Sequence, residues 1–198
     1  MKIIITIFFL LLAFLSRTNA QSVTHSKEWK DLITSLQNEN WQVANELSLS
    51  ILNKITKDSP DDVASAILRY MYIYSEAGLM NSNKVTKSEA LKNVVGFTGQ
   101  MVILPSHPIS LKMDFNSIRL ANGKTDSLFI TSTNKDATSI FSFEYIVMNK
   151  QWPLDDFKNS AGSICRLGGT IRSISVEGNM LPRFRIVLDH GIAKMENK

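Results

Sequence analysis

The glycine and phenylalanine residues of this 198-residue chain are concentrated in its later part. All nine Gly lie at or after Gly78, and every Phe beyond the first 20 residues lies at or after Phe97. Segments poor in Gly favour helices, whereas segments punctuated by Gly, Pro and aromatic residues favour strands and turns. The sequence therefore predicts an α+β protein, with a helical region over 21–96 and a strand-rich domain over 97–198.

The first 20 residues have the layout of a secretory signal peptide. Lys2 precedes an apolar run over 3–15, and a short polar segment ends at Ala20. That run is shorter than the roughly 20 residues that span a bilayer. We therefore expect cleavage after Ala20 and a secreted or periplasmic protein without a transmembrane segment; the alternative is an uncleaved N-terminal anchor. Cleavage would remove Lys2 and Arg17 and no acidic residue, so the formal net charge of +4 falls by two units.

The helical region carries clear helix-boundary signals. Ser59-Pro60-Asp61-Asp62 is typical of a helix start, and Gly78 is expected to end that helix. Thr86 and Glu89 have the spacing of a capping box for a further short helix. The helix lengths and short connections resemble a tetratricopeptide-type helical hairpin, with an unrelated small bundle as the alternative. We expect the helices to contact a protein partner and to pack separately from the strands, with a boundary near 80–97.

The later part contains apolar runs separated by turn residues. Asn122-Gly123 predicts a tight hairpin turn, and Pro153–Ala161 has the apolar spacing of a short helix. The expected order is three strands, a short helix and two strands, the last two forming a hairpin of Cys165–Val176 with Arg183–Leu188. The side chains expected in the core of this domain are Val102, Ile118, Phe141, Phe143, Ile171, Phe184 and Ile186.

Three segments of this domain carry a family resemblance. Residues 97–102, 168–174 and 183–188 read FTGQMV, GGTIRSI and RFRIVL. In glycine placement and element order they resemble OB domains of the tRNA-anticodon-like type, which occur in exported bacterial proteins of unknown function. The resemblance implies a five-stranded OB-like Greek-key β-barrel with a helix before its fourth strand, and a strand face able to bind oligonucleotides or oligosaccharides. It implies a fold much more than an activity.

Motifs for catalysis are scarce in the sequence. The three histidines, His25, His107 and His190, do not have metal-ligand spacing, and no nucleophile elbow, phosphate loop or dinucleotide fingerprint occurs. Cys165 is the only cysteine, so an internal disulfide is excluded, and we expect it to be a small buried hydrophobe. The sequence favours a non-enzymatic protein without cofactor or metal. The alternative is a small secreted hydrolase that uses His190 or His107.

A cluster of arginines late in the chain suggests binding. Arg183 and Arg185 lie two apart in a predicted strand, so their side chains share a face, and Arg172 belongs to the same hairpin. The leading interpretation is a binding module whose strand face takes a polar or anionic ligand, for example an anionic glycan. The alternative of a secreted binder of single-stranded nucleic acid or other polyanions is disfavoured, because the aromatic residues are expected to be buried. A further interpretation is that the arginines only keep an edge strand soluble.

Overall fold

The computed structural model describes residues 26–55, 63–121 and 125–196. Within these ranges it is an α+β protein in which helices precede a curled, mixed sheet of six strands. The helices are α1 (Lys27–Gln37), α2 (Trp41–Ile55), α3 (Val63–Asn81), α4 (Lys87–Val95) and α5 (Leu154–Asn159). The strands are β1 (Met101–Pro108), β2 (Arg119–Leu120), β3 (Ser127–Thr133), β4 (Ile140–Met148), β5 (Ile164–Glu177) and β6 (Arg183–Met195).

Several sequence signals fall outside the described ranges. These are the predicted signal peptide, His25, the helix-start signal over 59–62 and the turn at Asn122-Gly123. The capping box is confirmed: the Thr86 hydroxyl accepts a hydrogen bond from the Glu89 amide, and the Glu89 carboxylate accepts one from the Thr86 amide. Among the described helices, none has both the length and the apolar character that a membrane span requires.

Helix α3 continues past its predicted end at Gly78 and finishes at Asn81. Gly78 instead lies where the indole of Trp41 on α2 packs against the helix, since a Cβ at this position would lie 2.2 Å from Trp41 Cδ2. The same indole makes an edge contact with the ring of Tyr74, with 5.4 Å between the ring centroids. The glycine therefore serves the close approach of two helices, and the prediction of a helix stop at this residue is wrong.

Helix α3 is buried along almost its whole length and packs on both α2 and the sheet. The Arg69 guanidinium donates a hydrogen bond of 2.9 Å to the carbonyl of Met101, and the Tyr74 hydroxyl donates one of 2.6 Å to the carbonyl of Thr133. Side chains from helices and strands belong to one hydrophobic core. In the described residues the two halves thus share a core. The expectation that the helices pack separately from the strands is therefore wrong, while the division of the chain near 96/97 stays a prediction.

The strand order in the sheet is β1-β5-β6-β4-β3-β2. β4 and β6 pair in parallel, and the other neighbouring strands pair antiparallel. Six strands occur where five were expected, because the chain leaves the sheet after Pro108 and returns as the two-residue strand β2. The Ile118 amide donates to the Pro108 carbonyl at 2.8 Å, and the Ser110 amide donates to the Ile118 carbonyl at 2.9 Å. These bonds bring together β1 and β2, which lie at opposite ends of the strand order.

The predicted core is correct except for one aromatic residue. Phe143 is only half-buried and faces away from the core. The other side chains predicted for the core are buried, namely those of Val102, Ile118, Phe141, Ile171, Phe184 and Ile186. The register of β3 against β4 shifts at this point, so that Ser132 pairs with Ser142 while Thr133 pairs with Ile140. Such an irregularity adds a residue to one strand and reverses the faces of the residues beyond it. Phe141 and Ser142 are therefore both buried, and Phe143 points outward.

Candidate functional site

The outward face of the sheet brings together three aromatic and three basic side chains. Arg119 on β2 pairs with Phe129 on β3, and Phe129 pairs with Tyr145 on β4. In the next row, Phe143 on β4 pairs with Arg185 on β6. Because alternate residues of a strand share a face, these rows form one surface across four strands. We call it the Arg–aromatic face, and its members are Arg119, Phe129, Phe143, Tyr145, Arg183 and Arg185.

The three aromatic rings of this face contact one another. The centroids of Phe129 and Phe143 are 5.8 Å apart in a stacked arrangement, and those of Phe129 and Tyr145 are 4.9 Å apart with tilted rings. All three residues are half-buried. The expectation that the aromatic residues of the strands are buried is therefore wrong for these three. The reason is the register shift in β4, which turns Phe143 and Tyr145 outward.

Each arginine of the face lies over one of these rings. The guanidinium carbon is 4.8 Å from the ring centroid for Arg119 over Phe129, 4.9 Å for Arg183 over Phe143, and 4.8 Å for Arg185 over Tyr145. A cation over an aromatic ring is attracted by its quadrupole, which at exposed positions contributes about 0.5–1 kcal/mol. The rings therefore hold three flexible cationic side chains in defined positions.

The charges of the face are only partly compensated. Arg185 Nε lies 3.6 Å from Glu177 Oε1, and both side chains are well exposed to solvent. Arg119 Nη1 lies 3.0 Å from the sulfur of Met113, a weak acceptor. Arg183 has no carboxylate partner in the described part of the chain, and its Nε is buried without a hydrogen bond. A guanidinium has five N–H donors, so the face keeps donors available for an anion.

Arg172, the third predicted binding residue, lies apart from the other two. Its Nη1 is 3.1 Å from Asp189 Oδ1, so its charge is already paired. Asp189 is four residues beyond Arg185 on β6, which corresponds to about 13 Å along a strand.

Arg183 and Arg185 do not lie on an edge strand, since β6 is hydrogen-bonded to both β5 and β4. Protection of a sheet edge, the alternative explanation for these arginines, is therefore wrong.

The two histidines proposed for a hydrolase do not meet a catalytic partner in the described residues. His107 Nδ1 donates a hydrogen bond of 3.0 Å to the carbonyl of Asn116, and Nε2 is buried without a partner. Burial lowers the pKa of His107 to about 4. His190 is exposed and has a φ of 54°, and the neighbouring carboxylate of Asp189 bonds to Arg172. The geometry thus offers neither histidine the orienting carboxylate of a general base.

Two further residues have their chemistry set by burial. Cys165 is buried, as predicted, and burial raises the pKa of its thiol to about 12, so it is not a reactive thiolate. Glu144 was not foreseen: it lies on β4 between Phe143 and Tyr145 but points to the opposite, inner side. Within the described ranges, no group of three or more His, Cys, Asp or Glu side chains is arranged to hold a metal ion.

Glu144 connects the inner side of the sheet to helix α3. Its Oε1 accepts hydrogen bonds from Tyr70 at 2.6 Å, Ser132 at 2.7 Å and Ser142 at 2.9 Å. Burial raises the pKa of Glu144, and it raises that of Tyr70 as well. The sequence signal for this network is an acid in the middle of a largely apolar strand. The network fixes the strand whose outer side carries two rings of the Arg–aromatic face.

Comparisons with known proteins give little further information. No protein-family model matches the chain, and no curated protein matches its sequence. Among solved structures, the chain is similar to the Plasmodium falciparum SSB in complex with ssDNA. That similarity has a TM-score of 0.27 with 13% sequence identity, and it covers 49% of this chain and 94% of the other.

Proposed function

We propose that this chain is an exported, non-enzymatic protein that binds an anionic ligand on the Arg–aromatic face. The observation that carries the proposal is the position and the charge pairing of the Arg183 side chain. Its guanidinium is positioned over Phe143, yet within the described residues it has no carboxylate partner. Guanidinium groups bind phosphate, sulfate or carboxylate through two parallel hydrogen bonds, and this geometry benefits from a side chain that is already ordered.

The aromatic rings between the arginines favour a ligand that presents apolar or flat groups beside its charges. Phe129, Phe143 and Tyr145 form a half-buried strip that connects Arg119 at one side with Arg183 and Arg185 at the other. Rings next to basic side chains are the arrangement that single-stranded nucleic acid requires. A single-stranded oligonucleotide is therefore the second candidate ligand, since the rings are half-buried and not enclosed in the core.

The strand pattern supports an OB-like assignment for the domain. A helix precedes β5, the strand β6 lies between β5 and β4, and the β4–β6 pair is parallel. We interpret β1 and β2 as two parts of one interrupted first strand, which accounts for six strands in a five-stranded Greek-key plan. OB-folds bind ligands on a strand face, and the Arg–aromatic face is such a surface.

A binding screen with matched variants tests the proposal. Heparin, polyphosphate and a single-stranded oligonucleotide are titrated into the purified protein and into the Arg183→Ala/Arg185→Ala variant. We expect the variant to lose at least about tenfold in affinity, because each arginine offers charge-assisted hydrogen bonds. The control is Lys30→Ala/Lys54→Ala, which removes the same charge from exposed positions on α1 and α2. Equal affinity of wild type and both variants for every probe, or no binding at all, contradicts the proposal.

A further inference from the structure

Two short segments expose apolar side chains to solvent. In the connection between β1 and β2, the exposed fractions are 60% for Leu111, 90% for Met113 and 55% for Phe115. In the turn between β5 and β6 they are 94% for Met180 and 56% for Leu181. Single exposed apolar residues are ordinary on protein surfaces, but clusters of them mark interaction sites. We call these segments tip 1 (residues 111–115) and tip 2 (residues 180–181).

The two tips lie at opposite sides of the Arg–aromatic face. Tip 1 reaches the face where Met113 Sδ contacts Arg119 Nη1 at 3.0 Å. Tip 2 belongs to the turn that leads into Arg183, and a Cβ on Gly178 of that turn would lie 3.6 Å from Arg183 Nη1. Between them run β2, β3, β4 and β6, which at the usual strand spacing span about 14 Å. Apolar tips and basic face thus form one continuous surface.

Basic residues accompany both tips. Lys112 lies within tip 1, while Lys87 Nζ donates hydrogen bonds to the carbonyls of Gly178 at 2.7 Å and Asn179 at 3.2 Å next to tip 2. Together with the three arginines of the face, this makes five cationic side chains. The acids near them include Asp114, which accepts a hydrogen bond from Ser110, Glu177, which pairs with Arg185, and Glu89, which belongs to the capping box beside Lys87. The surface therefore combines an excess of positive charge with protruding apolar groups.

We propose that this surface docks on an anionic phospholipid bilayer, with both tips entering the interfacial layer and the arginines contacting lipid phosphates. The inference rests on the proposed function, because the same arginines bind the anion, and it names the source of that anion. A soluble polyanion is recognised by the basic face alone and gives the tips no partner. The interface of an anionic leaflet attracts basic residues electrostatically and takes up exposed apolar side chains at the same time.

Vesicle sedimentation provides the test. The probes are vesicles of phosphatidylcholine, vesicles of phosphatidylcholine with a quarter of phosphatidylglycerol, and soluble heparin. We expect wild type to bind the anionic vesicles and to remain free with the neutral ones. Leu111→Ser/Phe115→Ser should weaken vesicle binding by about tenfold or more, since two apolar side chains leave the interface, with little change for heparin. Arg183→Ala/Arg185→Ala should weaken vesicle binding by roughly 25-fold, at about fivefold for each charge near the leaflet, and should weaken heparin binding too.

Controls separate docking from misfolding. Val43→Ser/Leu49→Ser changes two partly exposed apolar residues of α2 and should leave vesicle binding unchanged. Met180→Ser/Leu181→Ser tests tip 2 independently and should also weaken vesicle binding. Heparin binding without vesicle binding, or vesicle binding that survives both tip variants, overturns the membrane inference and leaves the proposed function standing. Absence of binding to every probe overturns both.

Discussion

The Tyr70 hydroxyl donates a hydrogen bond of 2.6 Å to Oε1 of Glu144, and this bond joins helix α3 to strand β4. Tyr70 is 4% exposed and Glu144 is fully buried. Oε2 of the same carboxyl is buried without a hydrogen bond in the described part of the chain. A carboxylate is costly to bury in its charged form, so desolvation raises the pKa of Glu144 despite the three donors to Oε1.

We expect this carboxyl to make the stability of the protein depend on pH. Its pKa is raised above the unfolded value of about 4.3, so the folded state holds the proton more tightly. The resulting stabilisation is complete below that unfolded pKa and is lost as pH rises through the folded pKa. Glu144→Gln should remove this loss, because glutamine does not titrate. The free energy of unfolding of the variant should therefore increase relative to that of wild type as pH rises. Urea unfolding from pH 4 to pH 8 measures it, and a constant difference between the two proteins refutes the prediction.

The contact between Gly78 and Trp41 predicts a substitution that is unfavourable despite better helix propensity. Alanine favours a helix interior over glycine by about 1 kcal/mol, yet its Cβ would overlap the indole of Trp41. We expect Gly78→Ala to lower the free energy of unfolding by about 1–3 kcal/mol, the usual cost of overpacking. Gly96→Ala is the control, because a Cβ there has no neighbouring atom within 4 Å and φ is −63°. If Gly78→Ala is as stable as Gly96→Ala, the helix packing is not as described.

The outward position of Phe143 predicts different effects for two phenylalanines. Phe184 is fully buried, so Phe184→Ala should cost about 3–5 kcal/mol of stability. Phe143 is half-buried, and Phe143→Ala should cost clearly less, while it should weaken anion binding because Arg183 loses the ring that positions it. Chemical denaturation and heparin titration of both variants measure these effects. Equal destabilisation by the two substitutions would place Phe143 in the core after all.

The signal-peptide layout predicts a mature chain that begins at Gln21. The prediction follows from the basic residue, the short apolar run and the polar segment that ends at Ala20. Mass spectrometry of the protein from its native source determines its N-terminus. A chain that still begins at Met1 would support the uncleaved anchor and not a secreted protein.

Local sequence signals predicted local structure well in this protein. The capping box at Thr86, the buried Cys165 and most of the core were correct, since each depends on neighbouring residues or on strand alternation. The errors arise where one element meets another. Gly78 looked like a helix stop because its role depends on Trp41, which lies 37 positions earlier in the chain.

In the candidate site, too, local features could be predicted from the sequence, whereas contacts between strands could not. The shared face of Arg183 and Arg185 follows from strand alternation, but their rings could not be foreseen. The register shift in β4 is a property of its pairing with β3, and it decides that Phe143 and Tyr145 face outward. The pairing of Arg172 with Asp189 likewise requires the β5–β6 register. Non-local strand pairing therefore limits what the sequence alone reveals about the site.

The central place of β6 in the sheet has a consequence for how the chain folds. β6 is the last described strand in sequence, yet it pairs with both β5 and β4 and so joins the β1–β5 pair to the β4–β3–β2 group. Another described connection between these groups is the short contact of Pro108 and Ser110 with Ile118. Until β6 is in place, β5 and β4 lack the strand that lies between them in the sheet. Topologies dominated by such long-range pairings fold slowly. Completion of the sheet therefore depends on the described strand that is synthesised last.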